Sequence, residues 1–338
     1  MEEASMVRLA KLFSEDTVLM TPDTTRLDYW LNWRFLLCLI WVLISTFFAS
    51  ILIWRYEGTN AAKNEVGDRQ DEPNWCLYAD ESWMPCLKRI HPCWLLAFRV
   101  FGFAMLLGLL ITDIVVDGIG VLYYYTQWTF VSVTIYFGLG CLLSIYGCSQ
   151  YTYKSCHDQA ALDTERGTYL PLTYEENGKH VQPNGQHYAR QIAGKWGYIL
   201  QVLFQMNAGA VILTDCVFWF IIYPFLSAND ATLTTMKIVT HSFNAVFLIA
   251  DTALNCMQFP LFRIAYFTLW TATFVIFQWV VHAFISMPWP YPILELSSTY
   301  APVWYLVVAM LHLPCYGFFY LLIKIKAYFL SKCSDYNI

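Results

Sequence analysis

Between residues 34 and 54 the chain runs for 21 residues in which Arg34 is the only charge. A helix rising ~1.5 Å per residue needs about that length to cross a hydrocarbon core of about 30 Å. Six more such runs follow, over residues 94–116, 128–148, 196–226, 238–257, 264–285 and 303–325. Each is apolar all round and none alternates, so the spans read as helices and a barrel is excluded. The sequence therefore predicts an all-α, polytopic membrane protein built as a seven-transmembrane-helix bundle. Composition agrees: charged residues make up 13% of the chain, about half the usual share. The 14 Trp and 23 Tyr suit a chain with two membrane interfaces.

Around these spans the expected organisation is a polar N-terminal segment (1–33), an additional first helix (34–54), a loop (55–93), a six-helix core (94–325) and a tail (326–338). The core is interrupted by a long aqueous segment (149–195), read as loop because it holds Pro171, Gly178, Pro183 and Gly185. No cleavable leader is read in the first 33 residues, so the first span does the targeting. Net charge is −5 and no run of five basic residues occurs, which argues against nucleic acid as a partner.

Seven spans place fourteen Lys and Arg on one side and five on the other. The richer side, with the 55–93 and 149–195 loops and the C-terminus, is the one expected in the cytosol. The membrane is an endomembrane such as the endoplasmic reticulum, or the plasma membrane. On this topology Cys76, Cys86 and Cys93 face a reducing compartment and are expected as free thiols. Cys256, with five others in apolar runs, reads as a small hydrophobe.

Polar groups are costly inside a bilayer, about 2.5–3.5 kcal/mol for an Asp at a helix centre, yet this chain keeps Arg99, Asp113, Asp215, His241, Asn244, Asp251, Gln278, His282 and His312 in its spans. Thr126, His241, His282, Asp113 and Asp117 fall toward the lumenal helix ends, with Asp215, Asp251 and His312 deeper. The pattern fits a polar chamber open to the lumenal or outer leaflet; for any one residue, an interhelical hydrogen bond is the plainer explanation. A hydroxyl beside a neutral imidazole is the equipment of acyl transfer, because the imidazole can take the hydroxyl proton.

Four segments resemble the androgen-induced (FAR-17a-type) integral membrane hydrolases, and the whole chain looks most like their rolling-stone-like branch. They are Tyr125-Thr126-Gln127-Trp128, Val217-Phe218-Trp219 with Tyr223-Pro224, His241-Ser242-Phe243-Asn244 leading to Asp251, and Trp289-Pro290-Tyr291-Pro292-Ile293-Leu294-Glu295. The resemblance covers about residues 95–325. It implies hydrolysis of esters between fatty acids and hydroxy fatty acids, with Thr126 as nucleophile and His241 as its base. This chain departs from the family in having Ile238 where a second His often stands, and Tyr125 where Leu precedes the Thr.

The expected function is thus a lipid-ester hydrolase inside the membrane, with membrane lipid and a lipid-like small molecule as its partners. Thr126 and His241 form the catalytic dyad, and Asn244, His282, Asp113, Asp251 and His312 are supporting candidates. No metal and no organic cofactor is implied. The alternative is a non-enzymatic receptor, adhesion protein or transporter on the same fold. The oligomeric state is not legible.

Overall fold

The computed structural model describes residues 23–58, 78–87, 89–167, 192–222 and 235–332. Among these residues there are no strands, only two isolated bridges, Tyr78 to Ile192 and Pro85 to Asn255. Seven long helices carry the structure: α1 (Trp33–Ile53), α2 (Pro92–Asp117), α3 (Tyr125–Gly167), α4 (Lys195–Val217), α5 (Thr235–Leu254), α6 (Ile264–Phe284) and α7 (Ala301–Ser331).

Local chemistry sets several boundaries. Asn32 caps α1 by accepting a hydrogen bond from the Phe35 amide at 3.0 Å. His91 caps α2 in the same manner, with Pro92 supplying a preset φ at the first helical position. Gly118 closes α2 at φ 80°, a left-handed value that only glycine adopts without strain. Pro314 stands inside α7 and removes one hydrogen bond from its ladder.

Cross-contacts give the helices their polarity. Arg99, early in α2, reaches Ser144 midway along the long α3 and Asp251 late in α5. Lys326, late in α7, bonds the Thr252 carbonyl at 2.6 Å. Phe35, at the start of α1, packs on Trp279 near the end of α6. The bundle therefore has one end formed by residues 23–32, 118–124 and 285–300, called here the upper end. The opposite, lower end is formed by residues 78–91 and 255–263.

Among the described residues six helices are long and apolar enough to cross a membrane, which makes this an all-helical, multi-pass architecture; α5 is shorter, with an apolar helical stretch at Ile238–Leu254. Burial separates centre from rim. In the most apolar window of α4, 61% of residues are buried, against 11% in α1. α4 is thus the core helix, and α1 leans on α6 and α7 while presenting Leu36, Ile44, Phe47 and Phe48 outward. That outward apolar surface is what lipid requires.

Three expectations need correction. Residues 149–167 are helix, the continuation of α3. The breakers Pro171, Gly178, Pro183 and Gly185 all lie past Gly167, in residues outside those described, and nothing before them stops the helix. The tail expected from 326 begins inside α7, which continues to Ser331. Cys86 is not a free thiol: it is paired with Cys256, because the 78–87 loop folds back under the α5–α6 connection and Cys86 N–H bonds the Leu254 carbonyl at 3.0 Å. Cys93 is free and exposed, and Cys76 lies outside the described residues.

Close packing at the centre depends on Gly209. A Cβ there would come within 2.4 Å of the Phe267 ring, which α6 lays flat against α4. Gly209→Ala is expected to cost about 1–3 kcal/mol by overpacking, whereas Gly317→Ala, with nothing within 4 Å, should be tolerated. Thermal denaturation of both variants in detergent checks this; equal midpoints would refute the packing assignment.

Candidate functional site

Asp251 accepts three side-chain hydrogen bonds. Its Oδ1 accepts from Arg99 Nε at 3.0 Å, and its Oδ2 accepts from the Tyr136 hydroxyl at 2.5 Å and from Asn255 Nδ2 at 2.8 Å. Arg99 also donates to the Ser82 carbonyl at 2.6 Å and to Ser144 Oγ at 2.8 Å. Arg99, Asp251, Tyr136, Ser144 and Asn255 are all 0% exposed. The Arg99 charge balances the carboxylate and three donors bind it, so Asp251 holds α2, α3 and α5 together near the lower end, well away from the upper-end residues.

At the upper end His282 is equally engaged. Its Nδ1 lies 2.8 Å from the Gln278 carbonyl, which can only accept, so in the neutral ring Nε2 accepts from the Tyr123 hydroxyl 3.0 Å away. Trp289 stacks on the ring at 3.6 Å, and the His282 carbonyl receives the Thr24 hydroxyl at 2.8 Å. His282 thereby clamps the N-terminal segment and the 285–300 linker onto α6. Asp113 accepts from Gln127 Nε2, tying the end of α2 to the first turn of α3.

The two residues expected as a dyad both lie in upper helix turns, Thr126 in the first turn of α3 and His241 in the second turn of α5. Both are half-buried. Thr126 faces the Tyr291 phenol, to which its amide donates at 3.4 Å. Burial in this linker pushes the Tyr291 phenol up to about 12, so it is neutral at physiological pH. The His241 ring stacks on Phe218 at 3.8 Å with an interplanar angle of 11°. Among the described residues no hydrogen bond joins Thr126 to His241. Asn244, one turn beyond His241, is buried with an Oδ1 that has no hydrogen-bond partner among the described residues, as is one carboxylate oxygen of Asp215 on α4.

A different threonine and histidine are in contact. Thr271 Oγ1 on α6 lies 2.9 Å from His312 Nε2 on α7 and 2.9 Å from the Tyr125 hydroxyl on α3. His312 Nδ1 lies 2.8 Å from the Val308 carbonyl. Because that carbonyl accepts, the neutral ring carries its proton on Nδ1 and offers the Nε2 lone pair to the Thr271 hydroxyl. Tyr125 then donates to Thr271 Oγ1. Thr271 and His312 line a cavity of about 70 Å³ bounded by α1, α6, α7 and the 292–294 turn. Trp41, Ser45 and Tyr305 complete its wall.

Sequence reasoning placed His312 among the candidates but missed Thr271, one of three threonines in α6; Thr268 and Thr273 bond carbonyls of their own helix, whereas Thr271 reaches an imidazole. Nothing in a separation of 41 residues marks the pair. Comparison with known proteins finds no matching family model, no matching curated protein and no matching solved structure.

The Arg99–Asp251 pair gives a sharp expectation. Arg99→Met or Asp251→Leu alone leaves a buried charge without its partner, at a cost of about 3–5 kcal/mol, while the double variant should recover much of the loss. Unfolding of the three proteins in mixed micelles measures the coupling. Additive losses would mean that the pair does not hold the bundle.

Proposed function

We propose that this protein is a hydrolase of lipid-like esters working within the membrane. The reading draws on the family resemblance of the sequence, and the single observation that carries it is the Thr271–His312 contact in the wall of an intramembrane cavity. In this scheme His312 Nε2 takes the Thr271 proton as Oγ1 attacks the ester carbonyl. The imidazolium returns that proton to the departing alkoxide, and water then releases the acyl group from Thr271 and restores the hydroxyl. The Val308 carbonyl fixes the ring tautomer, and the Tyr125 hydroxyl, 2.9 Å from Thr271 Oγ1, is the donor this scheme assigns to the developing oxyanion. Thr126 and His241 remain the pair that the resemblance nominates, and the two assignments are separable.

The competing reading is non-enzymatic: the same contact would be an interhelical bond fixing α6 to α7. It is favoured by the low exposure of both side chains, 9% for Thr271 and 5% for His312. A panel of hydroxy-fatty-acid esters and a fluorophosphonate probe decide between the readings. Thr271→Ala and His312→Ala are expected to lower turnover by about 10²–10⁴-fold with near-normal thermal midpoints, and Thr271→Ser to restore part of it. Loss of activity only in Thr126→Ala and His241→Ala would transfer the site to the upper end. No turnover in well-folded wild type, with a destabilised His312→Ala, would establish the packing role.

For topology we propose seven spans, α5 included, with the lower end and the C-terminus in the cytosol. The basic residues support this orientation. The Cys86–Cys256 pair pulls the other way, since disulfides persist in oxidising compartments. Charge is given precedence because it acts on every lower-end loop during insertion, and the pair is then expected to be reducible by cytosolic thiols. Cys93, exposed at the same end, is the native reporter. In sealed microsomes with the cytosolic face outward, a membrane-impermeant maleimide should modify Cys93, identified by peptide mass spectrometry, without permeabilisation. Labelling only after permeabilisation would invert the bundle.

A further inference from the structure

At the lower end, between the α5–α6 connection and the last turns of α7, lies a second cavity of about 510 Å³. Gln258, Phe259, Leu261, Tyr320, Lys324 and Lys326 are among its walls, and no carboxylate of the described residues lines it. We propose that this cleft binds the phosphate of an anionic glycerophospholipid headgroup, with Lys324 and Lys326 as its cationic contacts.

Depth comes first. Lys324 stands 23 residues beyond Ala301 on α7, which is about 35 Å at ~1.5 Å per residue. A hydrocarbon core of about 30 Å that begins near Ala301 ends just before the two lysines, so both stand at headgroup level. Tyr320 and Tyr328 flank them, as aromatic side chains do at an interface.

Charge comes second. Lys324 is exposed, and its ammonium sits 5.3 Å over the Tyr320 ring with no acidic partner among the described residues. Lys326 is anchored: its Nζ donates to the Thr252 carbonyl at 2.6 Å and to the Asn255 carbonyl. Those two bonds use two of its three donors. The acid nearest to it electrostatically, Asp251, is already matched by Arg99. One lysine is thus held rigidly in the wall with a donor to spare, and a second is free to close over a ligand.

The walls decide the source of the phosphate. Phe259, Leu261 and Ile323 give the cleft an apolar side, on which Leu261 is 53% exposed; such a wall suits an acyl chain better than a soluble anion. Basic pockets between helices on the cytosolic side are a recurrent mode of acidic-lipid recognition. The proposal is independent of the hydrolase reading and needs only that the bundle sit in a membrane.

Native mass spectrometry of the full chain, exchanged from phosphatidylcholine-containing detergent and titrated with phosphatidylglycerol, tests it. Wild type is expected to retain one phosphatidylglycerol in preference to phosphatidylcholine. Lys324→Gln should weaken that retention about fivefold, the effect of one lysine near an acidic headgroup. Lys332→Gln, on the same helix outside the cleft, should leave it unchanged. Lys326 is the less clean probe because it also closes α5, so Lys324 carries the test. Equal retention of the two lipids, or an unaltered Lys324→Gln, would overturn the proposal. Displacement of the lipid by millimolar inorganic phosphate would overturn the lipid as source.

Discussion

Arg99 and Asp251 are each tolerable in this bundle only because the other is there. Both are sealed from solvent and from lipid, and an isolated charge at such a place would cost several kcal/mol. Their pairing recruits a tyrosine, a serine, an asparagine and a loop carbonyl, so α2, α3, α5 and the 78–87 loop meet at one point. A second buried cation, Arg263, repeats the solution nearby, with Glu57 at 2.8 Å and Gln205 at 3.1 Å. The lower end is therefore fastened by charge. The upper end is fastened by neutral hydrogen bonds and stacked rings, of which His282 against Trp289 and Tyr123 is the centre.

That division bears on where chemistry can occur. Asp251 carries three donors on its two oxygens with the Arg99 charge beside it, which is the bonding of a fastening group. The imidazoles differ from one another in the same terms. His282 has both nitrogens occupied by groups that position the linker. His241 has an aromatic face against it. His312 offers its Nε2 to an aliphatic hydroxyl, and it does so beside a cavity. His282 presents its Nε2 to a phenol in the same direction; His312 differs from it in having an aliphatic hydroxyl as its partner, at the wall of a cavity.

The helices were legible in the sequence because a bilayer imposes its thickness on each span separately. α2 and α6 run within two residues of the stretches that hydropathy alone marks out. Where the signal was the absence of a breaker rather than the presence of apolar residues, reading went astray. The segment after Cys148 carries enough charge to look like loop, yet contains nothing that ends a helix before Gly167. The polar contacts were illegible for another reason. Arg99 and Asp251 are 152 residues apart, Cys86 and Cys256 are 170 apart, and no local pattern records such a meeting. A resemblance could nominate Thr126 and His241, but only packing could bring Thr271 onto His312.

The segment before α1 has its consequence in time. Thr24 bonds the carbonyl of His282, the Tyr29 hydroxyl accepts from the Trp289 indole, and Arg34 reaches the Ser297 carbonyl at 2.6 Å. These partners lie about 260 residues downstream, which at ~5–20 residues per second separates their emergence from the ribosome by roughly 10–50 s. α1 thus waits in the bilayer without α6 and α7 until both have been made. Its outward apolar surface lets it do so: a helix that needs little protein around it can be synthesised well before the helices it docks on.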